Sequence, residues 1–172
     1  LPAMATTITA RVEALDARAR TGVLAAGRVT VALCWLANLH WKVPGAFGED
    51  TGGGLYKYVE SVTRHSTFAP FTWITEEIIL PNYRAFGWFT LISETLLALL
   101  LLVGYRTKIV ALIGAAMTVP IFLSVIYYDR ADEWSWAYFL FFAAHLLEYA
   151  GDAGGAHGLD GVLRRPPGDD RR

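Results

Sequence analysis

The sequence predicts an all-α fold: a membrane-embedded bundle of four transmembrane helices, with an outer loop that carries short interfacial helices. Hydrophobic residues make up 54% of the 172-residue chain and charged residues 18%, and the mean hydropathy is +0.35. This hydrophobic share exceeds the roughly 45–50% that is usual for globular chains. The apolar residues are concentrated in four stretches, each about long enough to cross a ~30 Å hydrocarbon core. They are residues 23–39, 86–103, 109–128 and 134–147.

A soluble four-helix bundle is the alternative to this fold. Helices of such a bundle alternate between a polar and an apolar face. Residues 96–103 are apolar on every face, which favours the membrane-spanning fold.

Two flanking regions and one loop complete the predicted organisation. Residues 1–21 carry apolar side chains at helical spacing and predict a cytoplasmic interfacial helix. Residues 22–163 form the four-span domain, with an outer loop over about residues 42–84. Residues 164–172 are polar and contain proline, which predicts a flexible cytoplasmic tail.

The outer loop contains two amphipathic stretches. In "LYKYVESVTRHS" the apolar residues recur at helical spacing with charges opposite, which predicts a short helix on the membrane surface. The stretch "FTWITEEIILPN" predicts a second such helix, which Pro81 is expected to end.

The distribution of basic residues predicts the orientation. Cytoplasmic flanks are enriched in Lys and Arg. With the N-terminus inside, nine Lys and Arg residues lie on the inner flanks and five on the outer flanks. We therefore expect a multi-pass membrane protein with both termini in the cytoplasm.

Composition argues against several other classes of protein. A formal net charge of −1 does not suit a nucleic-acid binder, which would present a basic face. Cys34 is the single cysteine, so no disulfide can form within the chain. No metal, haem or flavin motif is present, and the expected partners are membrane lipids and other membrane or periplasmic subunits.

Ionisable residues inside the apolar stretches are the candidate functional residues. Glu94 lies near the middle of the second span, and Arg28 lies about seven residues, or roughly 10 Å, inside the first. His145 and Glu148 share a face of the fourth span near its inner end. An unpaired charge in hydrocarbon costs about 2.5–3.5 kcal/mol, so these groups are expected to face the bundle interior and to pair.

The simplest arrangement is an Arg28–Glu94 ion pair with His145 and Glu148 nearby. Such a pair could merely fix the register of the helices. Alternatively, the four residues form a protonatable pocket in which a quinone headgroup, menaquinone or ubiquinone, exchanges protons. Asn38, His40 and Lys42 form a second polar spot at the outer end of the first span, where ordinary interfacial residues are also expected.

Several segments carry a family resemblance. They are an arginine-containing first span followed by lysine, "GRVTVALCWLANLHWKVPG"; a Glu-containing helix; the turn "GYRTK"; and the closing segment "GDAGGAHGLDGVL". In this order they resemble the DoxX/DoxD family of four-span bacterial membrane proteins. The long outer loop is most similar to the DoxD branch, the small subunit of thiosulfate:quinone oxidoreductase. The positions that the resemblance implies are Arg28, Lys42, Glu94, Arg106 and Asp160.

The resemblance implies an integral membrane subunit of a quinone-linked oxidoreductase, which moves electrons or protons between a sulfur, thiol or other donor system and the quinone pool. In this hypothesis Glu94, Arg28 and His145 are the catalytic residues, and together with Glu148 they bind the quinone. The redox cofactors would belong to partner subunits. The alternative is a non-catalytic accessory or assembly subunit of a larger membrane complex.

Overall fold

The computed structural model describes residues 2–127 and 134–164, with side chains described from residue 10 onward. Over these residues the chain is helical and contains no strand. Its α-helices are α1 (Pro2–Ala37), α2 (Gly54–Arg64), α3 (Ala69–Ile74), α4 (Tyr83–Val103), α5 (Thr107–Val125), α6 (Ser135–Gly151) and α7 (Leu159–Leu163). A π-helical turn (Thr75–Ile79) and a 3₁₀ turn (Leu80–Asn82) join α3 to α4. The predicted all-α fold is confirmed.

Three helices in the described part of the chain are long and apolar enough to cross a membrane: Ala10–Ala37, Ala69–Val103 and Thr107–Val125. The helix α6 has 17 residues and is roughly 26 Å long, at the lower end of what a bilayer requires. The residues just before it, 128–133, lie outside the described residues. The fourth span therefore stays a prediction.

The four long helices form a closed ring of neighbours. The helix α1 packs on α4 and α6, and α5 packs on α4 and α6. Their core is made of apolar side chains from α1, α4 and α5: Val31, Ala32, Trp35, Leu97, Ala98, Leu101 and Val110. Many outward-facing side chains are also apolar, including Leu33, Ile92 and Ile113. Such a surface is expected of helices that face lipid.

The bundle has two distinct ends. At the α2 end, α1 and α5 terminate, α4 and α6 begin, and α2 covers the ring. At the opposite α7 end, the turn between α4 and α5 meets the segment from Asp152 to α7, where the Asp160 amide donates to the Gly104 carbonyl over 2.9 Å. The tight turn predicted from "GYRTK" is confirmed, because Gly104 and Arg106 both adopt left-handed conformations there.

Of the two amphipathic stretches in the outer loop, the first is helical as predicted. It forms α2, which buries Leu55, Val59 and Val62. For the second, the expectation that Pro81 ends the helix was wrong, because the chain stays helical from Ala69 to Val103. Proline lacks the amide donor that a regular helix needs, and Pro81 is accommodated at the start of the 3₁₀ turn that follows the π-helical turn.

At the N-terminus, α1 runs without a break from Pro2 to Ala37. Residues 1–21 are thus helical from Pro2 onward, and their place at the membrane surface stays a prediction. Most of the tail predicted for residues 164–172 lies outside the described residues.

Candidate functional site

A buried ion pair joins Lys42 to Glu94. The Lys42 Nζ atom lies 2.6 Å from Glu94 Oε2, and the two side chains are only 4% and 2% exposed. The same ammonium donates to the Asn38 carbonyl over 2.9 Å and lies 4.2 Å from the centre of the Trp41 ring. The Lys42 charge is therefore compensated by a carboxylate, a carbonyl and an aromatic face.

The end of α1 explains how Lys42 reaches this position. The helix stops at Ala37, and the Lys42 amide then donates to the Leu39 carbonyl over 3.0 Å in the turn that follows. This turn directs the Lys42 side chain back toward the C-terminus of α1, where a cation is favoured by the helix dipole. Glu94 comes from the middle of α4.

The Lys42–Glu94 pair lines a cavity of about 270 Å³ at the α2 end of the bundle. Aromatic side chains from α1, α2, α3, α4 and α6 form much of its wall, among them Trp35, Phe86, Phe89 and Phe141. Asn38, Thr90, Ser93 and Ser124 add a few polar groups. The result is an apolar chamber with one buried charge pair, the usual composition of a small-molecule site.

The roof of the cavity is built by the outer loop. Leu55, Val59 and Val62 of α2 and Thr75 of the π-helical turn contribute to its lining. The loop before α2 is fastened to α4, because the Tyr83 hydroxyl donates to the Phe47 carbonyl over 2.9 Å. The π-helical turn thus lies at a ligand-sized cavity, a position where such turns often occur.

A second polar cluster lies toward the α7 end. His145 is fully buried, and its Nε2 atom accepts a hydrogen bond from Trp35 Nε1 over 2.9 Å. Its Nδ1 atom lies 3.3 Å from Glu148 Oε2 without forming a hydrogen bond. Glu148 and Arg28 both line a second pocket of about 460 Å³ between α1 and α6. Because Trp35 lines the cavity and also bonds to His145, it stands between the cavity and this cluster.

The prediction of an Arg28–Glu94 ion pair was wrong. The Arg28 guanidinium donates to the carbonyls of Leu101 and, over 2.9 Å, Leu102 in the last turn of α4. Its Nη2 atom lies 3.4 Å from the His157 carbonyl. Arg28 thus binds carbonyls in the last turn of α4, where the regular helical hydrogen bonds run out and Leu101 also accepts from the Gly104 amide. Glu94 points to the opposite end of the bundle.

Asp160 caps the neighbouring helix. Its two carboxylate oxygens accept hydrogen bonds from the backbone amides of Arg106 and Thr107, both over 2.8 Å. These amides begin α5, so a carboxylate stabilises a helix N-terminus here. Of the five positions implied by the resemblance, Arg28, Arg106 and Asp160 therefore build the α4–α5 turn, and Lys42 and Glu94 line the cavity.

Of the four candidate residues named from the sequence, three are brought into one region. Arg28, His145 and Glu148 lie toward the α7 end, where Glu148 lies 3.3 Å from His145 and lines the same pocket as Arg28. Glu94 lies apart from them. Sequence reasoning missed Lys42 as its partner, although the resemblance had singled out that position.

Comparison with known families identifies the chain. Residues 54–169 of the 172 match the DoxD family, described as "TQO small subunit DoxD". The chain belongs to the DoxD family. The matched region contains Glu94 and His145, whereas Arg28 and Lys42 precede it. With three helices suited to crossing a bilayer, this DoxD chain is a membrane protein. Comparisons with curated proteins and with solved structures gave no match.

Proposed function

We propose that this DoxD chain is an integral membrane subunit of a thiosulfate:quinone oxidoreductase-type complex, and that the cavity at its α2 end binds the quinone headgroup. The family description supports the first part, because it names a small subunit of TQO, the thiosulfate:quinone oxidoreductase. The second part rests on one observation: a buried Lys42–Glu94 pair lines an otherwise largely apolar cavity. Ionisable groups placed within the membrane are expensive and commonly mark functional sites.

The cavity suits a quinone in its size and in its lining. A volume of about 270 Å³ is close to the lower end of the roughly 300–1,000 Å³ of typical ligand sites. The rings of Trp35 and Phe141, whose centroids lie 5.1 Å apart, offer aromatic surface to a flat headgroup. An apolar entrance from the lipid phase would admit the isoprenoid tail.

The charge pair would supply the polar contacts. A quinone presents two carbonyl oxygens, and on reduction to the quinol it takes up two electrons and two protons. The Lys42 ammonium would donate a hydrogen bond to one carbonyl oxygen. The Glu94 carboxylate would take up a proton from water and pass it to the reduced ring, once for each of the two protons. The electrons would come from a sulfur-containing donor through a partner subunit.

The proposal also includes the location. We place the chain in the bacterial plasma membrane with four spans and both termini in the cytoplasm, so the α2 end with its cavity faces outward. The excess of Lys and Arg on the inner flanks supports this orientation.

Purification in mild detergent from the native membrane tests the proposal. Mass spectrometry would measure both the quinone and the proteins that accompany the chain. Near-stoichiometric menaquinone or ubiquinone together with a sulfur or thiol enzyme is expected. A large complex without quinone would contradict the binding site and favour an accessory or assembly role.

A pair of variants then locates the site. We expect Glu94→Gln to retain the fold and to lose quinone-linked reduction, because the amide cannot take up a proton and pass it on. The matched control is Glu77→Gln, an exposed carboxylate outside the cavity lining. Equal activity of both variants would remove Glu94 from the proposed chemistry.

A further inference from the structure

The hydrogen bond between Trp35 and His145 fixes the state of the histidine. An indole nitrogen only donates, so His145 Nε2 has to carry a lone pair to accept it. When the imidazole is neutral, its proton is therefore on Nδ1, the atom that faces Glu148 Oε2 at 3.3 Å. Of these groups, the imidazole and the indole are joined by a hydrogen bond, whereas Glu148 lies near Nδ1 without bonding to it.

The position of the imidazole ring is fixed from α5 as well. A Cβ atom at Gly114 would overlap three ring atoms of His145, so this glycine allows the ring to lie directly against the α5 backbone. The Phe141 ring packs on His145 with a centroid distance of 5.2 Å. The imidazole is held on several sides and cannot follow a displaced indole.

Trp35 belongs to the cavity lining on its other side. Its side chain is 1% exposed, and its only described hydrogen bond is the one to His145. Core packing and the Phe141 ring hold the body of the indole, and the bond to His145 adds the one polar contact that fixes the direction of its N–H.

We propose that His145 is a positioning residue of this cavity: it holds the Trp35 indole as the wall against which the quinone ring packs, and protonation of His145 releases that wall. This inference rests on the proposed quinone site. Protonation places a hydrogen on Nε2, which then has no lone pair for the indole N–H. A lower pH accordingly weakens quinone binding.

The charged groups around His145 are few. Glu148 faces Nδ1 from α6 itself, and Arg28 of α1 lines the same pocket as Glu148. The helix α5 presents Gly114, which cannot titrate. Lys42 and Glu94 lie on the cavity side of Trp35. Because Glu94 could also make binding depend on pH, the test needs a variant that alters His145 alone.

Three variants separate the contributions. Trp35→Phe keeps an aromatic ring and removes the donor, His145→Phe removes the acceptor, and His145→Gln retains an acceptor that does not titrate near neutral pH. His65→Gln, at an exposed histidine at the end of α2, is the control. The probe is a short-chain ubiquinone, and its dissociation constant is measured by quenching of tryptophan fluorescence between about pH 8 and pH 5, where histidine changes charge.

We expect Trp35→Phe and His145→Phe to bind the probe about three- to tenfold more weakly than wild type at pH 8, the effect of one lost hydrogen bond. His145→Gln should bind nearly as well as wild type at pH 8 and should lose less affinity on acidification. His65→Gln should match wild type throughout. Should His145→Phe fail to fold, the pH profile of His145→Gln still decides.

A readout without quinone completes the test. The indole NH resonance of Trp35, assigned with Trp35→Phe, should shift in His145→Phe and at acid pH in wild type. Probe binding that is unchanged in all His145 and Trp35 variants overturns the positioning role and leaves the quinone site intact. If the wild-type protein does not bind the probe, both the positioning role and the quinone site are overturned. The indole resonance then reports only whether the hydrogen bond exists.

Discussion

At the scale of single residues, Lys42 and Glu94 each hold a charge that the bundle interior would not otherwise accommodate. The Lys42 ammonium donates to Glu94 Oε2 and to the Asn38 carbonyl, so little of its hydrogen-bonding capacity is unused. Removing one partner of a buried pair leaves the other charge without compensation, which costs about 3–5 kcal/mol in proteins. Replacing both partners by apolar groups costs much less.

These energies predict a strongly non-additive double-mutant cycle. Lys42→Met and Glu94→Leu should each lower the free energy of unfolding by about 3 kcal/mol, while the double variant should be more stable than either single one. Unfolding in detergent micelles by a denaturing detergent or by heat would measure this. Additive effects of the two substitutions would show that the charges do not depend on each other.

The residue scale is also where sequence reasoning succeeded only in part. Glu94 stands out because an apolar helix rarely contains a carboxylate. The sequence predicts Arg28 as the partner of Glu94, because the depth of each residue in the membrane is counted along a straight helix. The turn after Ala37 brings Lys42 back to the bundle, and a span boundary does not reveal such a turn. The helix end that binds Arg28 is brought next to it only by the fold, so the sequence alone does not reveal this contact.

At the scale of elements, the α4–α5 turn is stabilised by opposite charges at two helix ends. Arg28 binds carbonyls at the C-terminus of α4, and Asp160 binds amides at the N-terminus of α5. Both charges have the sign that the helix dipoles favour. Between them Gly104 has a φ of 71°, and a Cβ there would come within 2.8 Å of the Arg28 guanidinium.

This arrangement predicts the effect of substitutions at the cap. Asp160→Ala should destabilise the fold by about 2 kcal/mol, because a buried and a partly buried amide lose their acceptor. Asp160→Asn should cost less, because one oxygen remains. Thermal unfolding in detergent measures both. Equal stability of Asp160→Ala and wild type would contradict the capping role.

Asp152→Asn is the matched control for Asp160→Asn, since Asp152 pairs with Arg164 in a partly exposed position near the same turn. The hydrogen bond from Arg164 lowers the pKa of Asp152. The Asp152 pair therefore stabilises the protein at neutral pH, and its contribution is lost as the pH falls through that lowered pKa. Because solvent screens this pair, we expect a much smaller effect than at Asp160.

Gly104→Ala should also destabilise this turn. Alanine would need an unfavourable left-handed conformation, and its methyl group would displace Arg28. A stability loss above about 1 kcal/mol is expected, with Gly22→Ala as the control because its Cβ would meet nothing within 4 Å. If the two variants unfold at the same temperature, the turn does not require glycine.

The long helices were predictable because a bilayer allows few alternatives: an apolar run of sufficient length has to satisfy its own backbone hydrogen bonds as a helix. Their ends were harder to predict. The π-helical and 3₁₀ turns let the helix continue past Pro81, and no simple periodicity signals such an accommodation. The closing segment was recognisable only from the resemblance, and its capping of a turn 54 residues earlier depends on tertiary structure.

At the scale of the whole molecule, the cavity and the capped α4–α5 turn lie toward opposite ends of the bundle. The cavity with Lys42 and Glu94 is covered by α2, whereas Arg28 and Asp160 lie at the turn beneath α7. If the chain crosses the bilayer as proposed, the cavity opens in the outer half and the capped turn lies near the cytoplasm. Whether α6 crosses the bilayer decides this arrangement, because α7 follows α6 in the chain and lies on the side where α6 ends.

Cysteine labelling tests that topology in intact cells. Cys34 is the single native cysteine, so Cys34→Ser provides a background for Asp50→Cys in the exposed loop before α2 and Leu163→Cys in α7, where Leu163 is 67% exposed. A membrane-impermeant maleimide should label Asp50→Cys in intact cells and Leu163→Cys only after the membrane is opened. The physical reason is that α6, with no charged residue before Glu148, is expected to cross the hydrocarbon core and carry α7 to the other face. Labelling of both positions from outside would mean that α6 does not cross, and labelling of Leu163→Cys alone would reverse the orientation and place the cavity in the cytoplasmic half.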